Sequence, residues 1–450
     1  MNIFSRLNST CWLLVVIALP ALARGEDSSP QEQKQTPAPA TDKWQPAGQV
    51  TGAGPMSGAT KKSSSKEKPA PAGEAAATDA PAPEKWRPAG QVTPPAPSAG
   101  AKSLGFIPRP LFSLGEFQLN IHGRIQPLVG LVGEDANSLS NGDVMNRDGF
   151  RLRRARLGVD GQISEHWKYD LELDLVDEFS GGNVLLDAGI VWAPCHWAWL
   201  RAGVGKTPFS RLLLTSSAEL QFIERPHWVA RENSVGGAML DPGRQVGLTV
   251  GGAISFLRWR AGIYNGSPGF SSGDFNDGLM YAVRLEGGLG NLGPAEADLD
   301  GGPLRFAVGL NGYLNQAPAA NIRAAGLDAG LKWRGLSLWL EAVWAKAVPE
   351  DTPQGTNTIM DETESWGMAA QAGYLLPLEF LHLEVAARFA IMDDNVHFDD
   401  EGDMWELTAG VNLYLMGNDL KLMLNYIIKE EMHGADLAND AALAMLQLRF

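Results

Sequence analysis

The sequence predicts an all-β fold, a 16-stranded antiparallel transmembrane β-barrel preceded by a disordered Pro/Ala-rich N-terminal segment. Three observations predict it. From Glu116 onward the chain repeats segments of about ten residues in which apolar and polar side chains alternate, the two-residue period of a strand with one oily and one wet face. The connections alternate too, short at one end and long at the other, as in a barrel with tight periplasmic turns and extended outer loops. No segment reaches about 18 uninterrupted apolar residues, so a membrane crossing falls to strands that satisfy one another's backbone groups in a closed sheet.

Taken in order, the first element is an address. Arg6 precedes the short apolar run CWLLVVIALPALA (Cys11 to Ala23), which ends in Ala21-Leu22-Ala23, so residues 1–23 read as a cleaved secretory signal. Residues 24–110 are rich in Pro, Ala, Ser, Lys and Gly and poor in large aliphatics, too little apolar surface to offset chain entropy. Within them KWQPAGQVT (Lys43 to Thr51) recurs as KWRPAGQVT (Lys85 to Thr93). The pair reads either as a duplicated linker or as a Trp-bearing motif that docks on peptidoglycan or a periplasmic protein. Residues 111–450 are the expected barrel.

The barrel segments fall near 116–131, 150–163, 167–178, 184–193, 197–206, 244–254, 255–264, 279–288, 303–314, 322–334, 335–346, 365–376, 380–392, 404–416, 419–429 and 441–450. The first shows the logic: in FQLNIHGRIQPLVG, Phe117, Leu119, Ile121 and Ile125 lie opposite Gln118, Asn120, His122 and Arg124. In LRWRAGIY, Trp259 and Ile263 oppose Arg258 and Arg260. A basic side chain on the lipid face at mid-bilayer costs about 2–4 kcal/mol, so energy fixes which face turns inward. An even strand count brings both barrel ends to the periplasmic side. The join at 289–302 is longer than this pattern accommodates.

A large soluble sandwich would also alternate, and three features favour lipid. The segments are longer than the usual five or six residues of soluble strands. The wet face carries mid-strand charges. Trp and Tyr gather near segment ends, at Trp167, Tyr169, Trp192, Trp199, Trp333, Trp344, Trp366, Tyr374, Trp405 and Tyr426, as interfacial girdles would.

Composition excludes some functions. A formal net charge of −15 argues against nucleic acid, whose sequence-independent binding needs a cationic surface. No nucleophile, base and orienting group stand together, so the chain is not expected to be an enzyme. The seven His residues show no metal spacing, and no cofactor is expected. The acidic run MDDNVHFDDEGD (392–403) reads as a solvated loop, with a divalent bridge to lipopolysaccharide as the sharper alternative. Cys195, in APCHWAW, reads as a turn residue.

Certain blocks carry a family likeness. GFRLRRARLGVDG (149–161), GKTPFSRLLLTSSAELQFIERP (205–226), GIYNGS (262–267) with Arg284 beyond it, and EVAARFA (384–390) resemble the phosphate-selective porin O and P family over most of residues 116–450. The resemblance implies an outer-membrane barrel, generally trimeric, whose third outer loop folds inward and sets the constriction while rows of Arg and Lys guide anions. By position it carries over to Arg153, Arg154 and Arg156 on the second strand, and to Lys206 and Arg225 flanking the inward loop. Its lysine-rich, phosphate-selective members differ from this loop, which holds Lys206, Arg211, Arg225, Arg231 and Arg244 among Glu219, Glu224 and Glu232. Lumen carboxylates such as Asp170, Glu172, Asp174, Glu286, Glu341, Glu384 and Glu406 dilute the field further.

The expected pore-lining, anion-binding residues are Arg124, Arg154, Arg156, Lys206, Arg225, Arg258, Arg260 and Arg284. Arg201, Arg305, Lys332, Arg334, Arg388 and Lys421 are further inward candidates. Fixed guanidinium and ammonium donors can replace the water an anion sheds in a narrow pore. For any single one, the competing reading is a salt bridge with a neighbouring carboxylate. The expectation is a bacterial outer-membrane porin for passive diffusion of small hydrophilic solutes, anions such as phosphate in particular. Its partners would be outer-membrane lipid and lipopolysaccharide and two further copies of itself, with the N-terminal segment in the periplasm. The alternatives are a non-selective porin with a cell-wall-tethering tail, and a barrel hydrolase with a site at the outer rim.

Overall fold

The computed structural model describes residues 109–133, 148–176, 184–195, 197–230, 240–266, 278–317, 320–349 and 361–450. The expected signal, residues 24–108 of the expected Pro/Ala-rich segment and both KW repeats lie outside the described residues. No helix among the described residues is long and apolar enough to cross a membrane.

Seventeen strands form one antiparallel sheet. They are β1 (Phe112–Leu114), β2 (Phe117–Val132), β3 (Gly149–Ser164), β4 (Trp167–Asp174), β5 (Leu185–Cys195), β6 (Ala198–Lys206), β7 (Arg244–Ile254), β8 (Leu257–Tyr264), β9 (Met280–Leu289), β10 (Arg305–Gln316), β11 (Ala320–Trp333), β12 (Leu336–Pro349), β13 (Thr363–Leu375), β14 (His382–Asp393), β15 (Met404–Tyr414), β16 (Leu420–Glu431) and β17 (Ala441–Arg449). Two one-turn helices, α1 (Arg211–Leu214) and α2 (His227–Ala230), sit between β6 and β7.

β1 is a three-residue strand folded back on the start of β2, with Leu114 opposite Phe117. The other sixteen pair each with the next, and β17 pairs with β2 to close the ring, Ala441 opposite Val132 and Arg449 opposite Arg124. Phe450 finishes the seam, its backbone exchanging two 3.0 Å hydrogen bonds with Gly123. Closure leaves no sheet edge, so backbone groups are paired where no water reaches.

The two faces sort by parity as the sequence reading expects. Leu310, Leu340, Val385, Phe389, Val411 and Leu424 are exposed on the outside, while Arg284, Glu384, Arg388, Glu406 and Lys421 are buried within. A soluble monomer seldom shows so continuous an apolar surface, and in a barrel this band is the lipid face. At the periplasmic end Trp167 stacks on Trp192 at 6.2 Å and Phe117 on Tyr169 at 6.1 Å. At the outer end Trp344 lies opposite Trp366, and Phe389 stacks on Trp405 at 6.0 Å. Trp199 departs from its expected place in the girdle, being 5% exposed and turned inward against Gly251.

Periplasmic turns are tight where the residues allow it. The β11–β12 turn has positive φ at both central residues, Arg334 (49°) and Gly335 (88°), a type I′ arrangement that matches strand twist. A Cβ at Gly335 would sit 3.0 Å from the Leu375 carbonyl oxygen, so glycine is needed for space as well as for φ. This turn takes Arg334 out of the lumen, where the inward reading had placed it: its guanidinium is exposed, 5.7 Å from the Trp333 ring. The long β9–β10 connection, 290–304, is no turn of this kind. It bends up into the barrel, with Leu292, Glu296, Ala297 and Asp298 all buried.

Candidate pore constriction

The connection between β6 and β7 is the third on the outer side, and it enters the lumen. Its first turn is set by Ser210, which caps α1 by accepting the Leu213 N–H at 3.1 Å. Glu341 of β12 holds the same end, accepting the Leu212 N–H at 2.9 Å and the Ser210 hydroxyl. Between α1 and α2 the chain has no regular hydrogen-bond ladder, so its backbone groups need partners from the wall.

The wall supplies them, largely from uncharged or paired side chains of lumen parity. Gln447 of β17 donates to the Ala218 carbonyl at 3.0 Å, and Lys421 of β16 to that of Leu220 at 2.8 Å. Asn412 of β15 donates to the Gln221 carbonyl at 2.8 Å, and Asn425 of β16 accepts the Ile223 N–H at 2.8 Å. Arg388 of β14 donates to the Glu224 carbonyl at 2.8 Å. Gln221, fully buried, spans Ser337 at 2.7 Å and Glu384 at 2.6 Å and accepts from Gln371 at 3.1 Å. Gly373 makes room for it, since a Cβ there would lie 2.0 Å from Gln221 Nε2. Asn418, in the turn between β15 and β16, donates to Glu219 at 2.7 Å, so the loop descends to the periplasmic end.

The expected basic residues divide into two groups. Five are engaged by carboxylates. Arg124 donates to Glu172 at 3.1 Å and to Ser216 of the loop at 3.1 Å. Arg156 meets Asp174 at 2.6 Å, and Arg258 meets Glu286 at 2.7 Å. Arg284 grips Asp328 in a two-pronged contact of 2.5 and 2.8 Å and reaches Glu286 at 3.1 Å. Arg154 donates to Gln126 at 3.1 Å and lies 3.6 Å from Glu224.

The other three have no carboxylate within ion-pair distance among the described residues. Lys206 donates to the carbonyls of Leu214 and Thr215 at 3.3 and 3.1 Å. Arg225 donates to those of Leu212 and Thr215 at 2.9 and 2.6 Å. Both therefore cap the carboxyl end of α1, where partial negative charge collects, and each keeps donors to spare. Burial lowers Arg225 to about 10, which leaves it charged at neutral pH. Arg260 of β8 lies in register with Arg284 of β9 and forms no ion pair among the described residues.

Arg153 shows what the two-residue period alone conceals. Gln126 pairs with Arg154 while Pro127 pairs with Leu152, so Arg153 is the extra residue of a β-bulge. The bulge turns two neighbours inward together, and Arg153 donates to the Glu224 carboxylate of the loop from Nε and Nη2, at 2.5 and 2.9 Å. The amides Gln221, Asn412, Asn425 and Gln447 also escaped a reading built on charge. For Asn412, Asn425 and Gln447 the signal was a polar side chain on lumen parity in an otherwise apolar strand, while Gln221, in the irregular loop, had no such signal.

A family model described as phosphate-selective porin O and P matches residues 130–299 and 311–450. An uncharacterized protein of Aquifex aeolicus (strain VF5) is 24% identical over 365 residues, covering 69% of this chain and 82% of that protein. The outer membrane channel DcaP of Acinetobacter baumannii aligns with a TM-score of 0.50 at 13% identity, over 75% of this chain and 99% of its own. An anion-selective porin from Comamonas acidovorans aligns with a TM-score of 0.49 at 12% identity, over 74% of this chain and all (100%) of its own.

Proposed function

We infer the cargo from one premise: this chain belongs to the phosphate-selective porin O and P family and is a bacterial outer-membrane porin, a passive diffusion channel and not an enzyme. Its cargo is small hydrophilic solutes, with anions such as phosphate preferred. The observation that carries this reading is the set of cations left without an ion pair beside the inward loop and on the wall: Lys206, Arg225 and Arg260 have no carboxylate within ion-pair distance among the described residues, while Arg124, Arg154, Arg156, Arg258 and Arg284 stand beside acids. Fixed donors with spare N–H groups can take over part of an anion's hydration shell, and the paired ones keep binding weak enough for release.

Single-channel recording in a planar bilayer under a salt gradient tests it. An anion-biased reversal potential is expected. A cation-biased one removes these three residues as the selectivity element, and no conductance at all removes the channel.

The same reading assigns residues 1–23 to a cleaved signal and 24–110 to a periplasmic segment, with the assembled protein a homotrimer in contact with lipid and lipopolysaccharide. The family likeness supports the trimer. Cross-linking in native membranes should trap a species of three chains, and a persistent monomer would refute that assignment.

A further inference from the structure

The connection 290–304 has no task in a plain barrel, because Leu289 and Phe306 already face each other and a loop of about two to five residues closes such a hairpin. Its extra length goes inward. Lys332 of β11 donates to the carbonyls of Leu292 and Ala295 at 2.7 and 2.5 Å. Trp339 of β12, three residues and about 10 Å along the strand from its periplasmic start, donates its Nε1–H to the Glu296 carbonyl at 3.0 Å. Asp298 accepts the Gly335 N–H at 2.8 Å and pairs with Arg305.

At its tip this connection grips the third outer loop. The Glu296 N–H donates to the Glu219 carbonyl at 2.9 Å, and a Glu296 carboxylate oxygen accepts the Gln221 N–H at 2.8 Å. Two reciprocal bonds thus join the two segments where the outer loop runs deepest. Gln221 is also the residue that ties that loop to β12, β13 and β14.

We propose that 290–304 is a second constriction element, a strut raised from the periplasmic end, whose Glu296 is a positioning residue that holds the third loop at Glu219 and Gln221 and so sets the width of the passage. The proposal rests on the channel reading above and deepens it. The strut braces the loop from below while the wall side chains brace it from the side, and with the clasp gone the stretch around Glu219 and Gln221 loses its support from below and can shift toward the wall that still holds it.

The test compares single-channel conductance of the full chain with that of Glu296→Ala and Trp339→Phe, each shown to be a folded barrel by its heat-modifiable migration. Glu296→Ala removes the carboxylate acceptor, and about a twofold rise in conductance is expected as the water-filled cross-section opens. Trp339→Phe keeps the ring and deletes one donor to the strut, and a smaller rise is expected. If Glu296→Ala does not form a heat-modifiable barrel, Trp339→Phe carries the decision. Folded variants with wild-type conductance overturn the strut and leave the channel standing. A wild-type chain that passes no current overturns the channel itself.

Discussion

Arg260 and Arg284 face each other across β8 and β9, and of the two only Arg284 has carboxylate partners among the described residues. Their substitutions should therefore differ in kind. Arg260→Ala should lower the anion-to-cation permeability ratio in a salt gradient with little change in stability, since no partner is stranded. Arg284→Met leaves Asp328, 2% exposed, as an unpaired buried charge, and breaking such a pair typically costs about 3–5 kcal/mol. Its urea midpoint should fall well before its selectivity does, and an unchanged midpoint would refute the assignment. Arg225→Ala should do both, loosening α1 and reducing anion preference, and an unchanged permeability ratio would remove its role. His433 titrates differently from these. Its hydrogen bond with Asp403 raises its pKa above the ordinary 6.5. The charged His433–Asp403 pair is then fully formed below about 6.5 and is lost as pH rises through that elevated value, while the backbone bond from Met432 to Asp403 still joins the two loops. A nuclear magnetic resonance titration of labelled His433 giving an ordinary or lower value would contradict this.

Among elements, the strands were legible and the loops were not, and physics explains the division. All sixteen barrel strands lie within four residues of their expected bounds, because parity in a one-sided environment repeats down every strand. Leu310→Arg, placing a charge on the lipid face near the middle of β10, should cost about 2–4 kcal/mol in refolding into vesicles, and a negligible cost would place that face in water. The turn Arg334-Gly335 was legible as a join but not as a type I′ turn. Gly335→Ala should cost about 1–2 kcal/mol from its left-handed backbone, read as a lowered heat-modification midpoint. What no period reveals is a register shift or a contact made by an irregular chain. The bulge at Arg153 breaks parity by one residue. The strut announced itself only as surplus length between Leu289 and Arg305. The loop's seat depends on Gln221, Asn412 and Gln447, whose partners lie far off in sequence and which offer no charge to notice.

At the scale of the whole molecule, the barrel carries its own closure, its own constriction and its own apolar belt between residues 117 and 450. Deleting residues 24–108 should leave conductance and heat-modifiability unchanged, and a loss of either would give that segment a part in the pore. The long reach of the loop's anchors also dictates an order of assembly. Glu219 is 230 positions from Arg449, Ala218 is 229 from Gln447, and Leu220 is 201 from Lys421. Contacts so remote in the chain form late, after the intervening polypeptide has been laid down. A thiol introduced at Ala218, whose carbonyl meets Gln447 of the last strand, should stay reactive until that strand joins the first, and earlier protection would contradict this sequence of events. Until that moment the sheet is an open ribbon with its obstruction unseated, and the step that finishes the wall is also the step that narrows the way through it.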